Sequence, residues 1–76
     1  MIRYNEHAEF EMARRRIARK WVEETIRNPD ATETKSLRRS YFKCLTGRHV
    51  MLRVVTPLYD PEYVITAYFD RRRPCG

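Results

Sequence analysis

No apolar run in this 76-residue chain approaches the roughly 18 residues that a helix needs to cross a bilayer. A helical membrane span is therefore excluded. The basic N-terminus also lacks the apolar stretch of a secretory signal, so export through a cleaved leader is not expected. Histidine and cysteine are scarce, two of each, and neither type is spaced as metal ligands are. Neither a metal site nor a cofactor is expected. Cys44 sits inside an apolar run and Cys75 is next to last, a poor arrangement for a framework disulfide, which makes a reducing cytoplasm the expected compartment. There is no internal repeat and no low-complexity linker. A chain this short buries one modest core, so residues 1–76 read as a single domain.

Positive charge is abundant. Sixteen Lys and Arg stand against ten Asp and Glu, a formal net charge of +6. Such a field draws in phosphate-rich or otherwise acidic partners, of which nucleic acid is the commonest and an acidic protein the alternative.

Periodicity divides the chain into a helical part and a strand part. Asn5 can cap a helix over Glu6 to about Arg15, with Glu6 and Glu9 at its positive end. There Phe10 and Ala13 line up with Ile17, Met12 widens the apolar side and His7 lies at its edge. A second helix is expected from about Arg19 to Arg27, where Trp21, Val22, Thr25 and Ile26 share a face, and Asn28-Pro29-Asp30 ends it. From Thr32 onward the period is two. Arg39 to Leu45 alternates, Thr46-Gly47-Arg48 turns, Val50 to Thr56 alternates again until Pro57, and a third strand follows Asp60-Pro61. Thr32 to Leu37 reads equally as an edge strand or a loop. The expected fold is α+β: two N-terminal helices on one face of a three- or four-stranded antiparallel sheet.

With Phe42, Val50, Leu52, Val54, Ile65 and Phe69 beneath the helices, alternation sends Tyr41, Lys43, Arg53, Thr66 and Tyr68 to the open face. That face is basic and aromatic, which suits RNA: cations neutralise phosphates and tyrosines stack on unpaired bases. It also carries groups for cleavage, which needs a base for the ribose 2′-hydroxyl, cations for the phosphorane and an acid for the leaving oxygen. His7 and Tyr68 are the proton-transfer candidates, and Lys43 and Arg53 the phosphate-stabilising ones. Arg39, Tyr41, Arg48 and Thr66 are the candidates for holding RNA. Each has a plainer reading: a histidine near a helix start as a hydrogen-bonded surface residue, tyrosines as cross-strand partners, and Arg14-Arg15-Arg16 and Arg71-Arg72-Arg73 as solvated charge. Arg53, between Leu52 and Val54, must face solvent or find an anion.

Taken together, His7-Ala8, Met12, Arg15, Ile17, Val22, Asn28-Pro29-Asp30, Tyr41, Gly47-Arg48, Leu52-Arg53-Val54-Val55 and Val64-Ile65-Thr66-Ala67-Tyr68 resemble a family of short bacterial domains of unknown function. That family is similar in fold to RelE and ParE toxins. Its pattern has glycine at the position of Arg16 and often serine at that of Ala18. The resemblance implies a metal-independent, RNA-cleaving toxin of RelE-like fold, acting on RNA either free or on the ribosome and held by an acidic antitoxin. It places Lys43, Arg53 and Tyr68 on the active face and adds His7 from the helix. Two alternatives stand beside it: a non-catalytic module binding nucleic acid or an acidic protein, and a non-nucleolytic ParE-like toxin.

Overall fold

Asn5 starts the first helix as expected: its Oδ1 accepts a 2.7 Å hydrogen bond from the Ala8 N–H, filling one orphan donor of the first turn. A computed structural model describes all residues 1–76, and in it α1 spans Glu6–Arg15 and α2 spans Arg19–Arg27. Arg16 ends α1 in the left-handed region, at φ 57° and ψ 44°. The Ile17 N–H then reaches back to the Met12 carbonyl at 2.8 Å. This is the stop that glycine usually makes. Ala18 opens α2 with no side-chain cap.

The buried stripe of α1 differs from the expected one. Ala8 and Met12 face inward, whereas Phe10 is 63% exposed and Ala13 is exposed. Ala8 shares the core with Ala67, and two such small side chains let helix and sheet lie close. Phe10 is left outside, near the Arg14 guanidinium.

The strand part begins with β1 (Arg3–Tyr4), which pairs in parallel with β5 (Tyr63–Val64). The main sheet is antiparallel and four-stranded, in the order β2 (Ala31–Lys35), β3 (Arg38–Lys43), β4 (Val50–Pro57) and β6 (Thr66–Pro74). The polar segment after Asp30 is thus an edge strand, joined to β3 through Ser36 and Leu37 with Lys35 opposite Arg38. Ser36 carries a φ of 58°, so this two-residue turn holds a left-handed conformation without glycine.

Helices and sheet meet around Ala8, Met12, Ile17, Val22, Tyr41, Leu52, Val54, Val64 and Ala67. Two strand expectations change here. Tyr41 is opposite Val54 and Phe42 opposite Arg53, so Tyr41 lies under the helices and Phe42 on the open face, the reverse of the expected phase. The reason is chemical fit on both sides. The Tyr41 hydroxyl accepts from Thr56 Oγ1 at 3.4 Å inside the core, and Lys43 Nζ donates to the Asn28 carbonyl at the end of α2 at 2.8 Å, where a cation suits the helix dipole. The third expected strand is broken at Ile65, whose N–H donates to the Val55 carbonyl. That break lets Val64 and Ala67 both reach the core.

β6 also runs further than Phe69. Met51 is opposite Asp70 but Val50 is opposite Pro74, so Arg71, Arg72 and Arg73 form a bulge rather than a free charged tail. The bulge is braced by the Asp70 carboxylate, which accepts from the Arg72 N–H at 2.9 Å. Past it, the Cys75 N–H bonds the His49 carbonyl. Cys75 thereby meets Cys44, their Cα atoms 5.5 Å apart, in a disulfide. The expectation of two unpaired cysteines is corrected: spacing in sequence hides that β6 returns to the end of β3. No helix is long and apolar enough to cross a membrane.

Candidate functional site

The face of the sheet turned from the helices carries Arg53 at its centre. Its Nε donates to Ser40 Oγ at 3.1 Å and its Nη1 to Asp70 Oδ2 at 2.9 Å. Its guanidinium lies 5.1 Å from the Phe42 ring centroid and 5.9 Å from that of Tyr68. Arg53 has therefore found an anion within the chain. Burial raises the Asp70 carboxyl, but the Arg72 N–H and the Arg53 guanidinium together outweigh it and hold the group below its ordinary value.

Next to this pair a cleft of about 520 Å³ opens at the β2–β3 turn. Its cations are Lys35, Arg38 and Arg53, and its hydroxyls come from Ser36, Ser40, Thr66 and Tyr68. Leu37 and Val55 complete the wall, and no carboxylate lines it. Strand register explains the grouping. Lys35 is opposite Arg38, Ser40 opposite Val55, Arg53 opposite Tyr68 and Val55 opposite Thr66, and residues paired or two apart share one face. Lys35 and Arg38 are exposed and take part in none of the chain's ion pairs. The cleft can therefore offer two uncommitted cations, donors at several angles and an aromatic ring to a phosphate-bearing ligand.

Of the eight residues named from sequence, Arg53, Tyr68 and Thr66 come together here. The other five do not join them. His7 is exposed on α1, which covers the opposite face, so the expected meeting of His7 with Arg53 and Tyr68 at the sheet rim is not found. Lys43 is committed to the end of α2, and Tyr41 is 6% exposed in the core. Arg39 lies on Tyr41's side of β3, donating to Thr34 Oγ1. Arg48 stacks on Phe69 and Trp21, also on the helix side. A quartet of His7, Lys43, Arg53 and Tyr68 acting on one bond is thus corrected: the sheet itself separates its members.

Sequence reasoning missed Lys35, Ser36, Arg38, Ser40 and Asp70. The Thr-Glu-Thr-Lys alternation before Ser36 was the available signal for β2, and Asp70 directly before three arginines was the signal for a paired carboxylate. No three His, Cys, Asp or Glu side chains are grouped so as to hold a metal ion.

A family model described as "Domain of unknown function (DUF4258)" matches residues 4–69. No curated protein and no solved structure matches the chain.

Proposed function

The chain belongs to the DUF4258 family of domains of unknown function, and on the geometry of its open face we propose that it binds single-stranded RNA there. The observation that carries the proposal is the cleft with three cations, four hydroxyls and no carboxylate. Lys35 and Arg38 would neutralise phosphate, Ser36, Ser40 and Thr66 would bond sugar and phosphate oxygens, and Tyr68 would present its ring to an unpaired base. Its volume lies in the range of about 300–1,000 Å³ that suits a small ligand or one nucleotide of a strand.

A second reading adds RNA cleavage, metal-independent and toxin-like. It is favoured by the survival of Arg53 and Tyr68 on one face, with Lys35 and Arg38 beside them. Cations for the phosphorane and an amine and a phenol for proton transfer are then within one cleft. The order of two helices before an antiparallel sheet is compatible with a RelE-like fold. On that reading an acidic antitoxin covers the face. The test is binding of a labelled oligoribonucleotide across salt concentrations, followed by incubation of the same RNA in EDTA. Arg38→Ala is the informative variant, since Arg38 is exposed and holds nothing else in place.

A further inference from the structure

Beside the cleft, Phe42 is fully buried although no helix covers its side of the sheet. Two guanidinium groups cover it, Arg53 at 5.1 Å and Arg73 at 4.2 Å from the ring centroid. Arg73 belongs to the β6 bulge, which returns it over the open face. Between the two stands Glu33. Its Oε2 is 2.6 Å from Arg73 Nη2 and its Oε1 is 3.8 Å from Arg53 Nη2. One carboxylate is shared by two arginines.

A guanidinium fork receives carboxylate and phosphate oxygens in much the same way. The Glu33 side chain is 43% exposed on an edge strand, so it is held far less firmly than Asp70, whose side chain is 8% exposed. We infer that Arg53 and Arg73 form a second phosphate subsite, which the chain's own Glu33 occupies until an RNA phosphate displaces it. This inference rests on the RNA-binding reading of the cleft and extends it. Ser40 lines the cleft and Phe42 underlies the subsite, two residues further along β3, about 7 Å. The next phosphate of an extended strand spans such a step. Arg53 borders both positions. Glu33 then acts as a selectivity element: a ligand with a single phosphate uses the cleft alone, whereas a strand must compete with Glu33 for the second position.

The test is a double-mutant cycle on binding of a fluorescein-labelled single-stranded oligoribonucleotide, read by anisotropy at several salt concentrations. Glu33→Gln keeps the shape of the side chain and removes the internal anion. It is expected to tighten binding by up to about fivefold and to steepen the log–log salt slope by up to about 0.7, the limit for one phosphate contact now made without competition. Arg73→Ala alone weakens binding, by less than Glu33→Gln tightens it, because in the natural chain a phosphate reaches Arg73 only in competition with Glu33. Combined with Glu33→Gln it removes both gains. Glu6→Gln, the same charge change on exposed α1, does not reproduce them. If Glu33→Gln binds no more tightly than the natural chain, or its gain persists without Arg73, the subsite is overturned while the cleft reading stands. If neither the natural chain nor Glu33→Gln binds the RNA, both fall.

Discussion

Arg53 on β4 and Asp70 on β6 form an ion pair across the open face, Nη1 to Oδ2 at 2.9 Å, with 26% and 8% of their side chains exposed. The arginine that the sequence marks most strongly as an anion binder is therefore also a structural post. It ties the strand that carries the cleft to the bulge that carries Arg73. Removing either partner leaves a charge in a partly buried place, which costs more than losing an exposed pair. We expect Arg53→Ala and Asp70→Asn each to lower stability by about 2 kcal/mol in urea unfolding. Stability unchanged in both would show that the pair is only a surface contact.

The same pair sets an acid dependence. The folded Asp70 carboxyl lies below its ordinary value of 3.8, so the folded state binds fewer protons there than the unfolded state. The contribution is complete above 3.8 and is lost as pH falls through the lower folded value. Glu11, hydrogen-bonded by Arg15 and Arg14, and Asp60, hydrogen-bonded by Arg3, shift in the same direction. Thermal midpoints should therefore fall on acidification below about pH 4, and less steeply in Asp70→Asn. An identical acid profile in that variant would remove Asp70 from the account.

Cys44 and Cys75 close a loop with a sequence separation of 31 residues. Restricting the unfolded chain in this way stabilises by about 4 kcal/mol. Reduction, or Cys44→Ser with Cys75→Ser, should lower the denaturant midpoint accordingly, and non-reducing mass spectrometry should find the oxidised form in air. Two free thiols under those conditions would contradict the pairing.

The connection between the helices is improvable. Arg16 holds a left-handed conformation that favours glycine, and Ala18 starts α2 with no capping oxygen. Arg16→Gly and Ala18→Ser should each raise stability by up to about 1 kcal/mol. Destabilisation by Arg16→Gly would mean that the arginine side chain holds the turn through contacts of its own.

How much of this was legible can be seen strand by strand. Helix positions followed from Asn5, from the apolar spacing around Trp21, Val22, Thr25 and Ile26, and from Asn28-Pro29-Asp30, because caps and breakers are local signals. β4 was legible too, since Leu52 and Val54 leave Arg53 only one side to face. β3 was not. Its neighbouring Tyr41 and Phe42 alternate equally well in either phase, and the choice is made by distant groups: Thr56, the end of α2 and the two arginines over Phe42. Arg53, Thr66 and Tyr68 were legible as one face, whereas Ser40 was hidden by the phase of β3. Lys35 and Arg38 depended on the Ser36 turn that brings them together, and Arg73 on a bulge that turns it back over the sheet. Pairing register and bulges are decided by tertiary contacts, so a single sequence holds little trace of them.

The most direct test of the central claim is the salt dependence of single-stranded RNA binding by the natural chain and by Arg38→Ala. Arg38 lines the cleft without an ion-pair partner, so its loss should leave the thermal midpoint unchanged. It should weaken binding and make the log–log salt slope shallower by about 0.7, one phosphate contact. Binding with the same affinity and slope in both proteins, or no salt-dependent binding in either, would contradict an RNA site in this cleft.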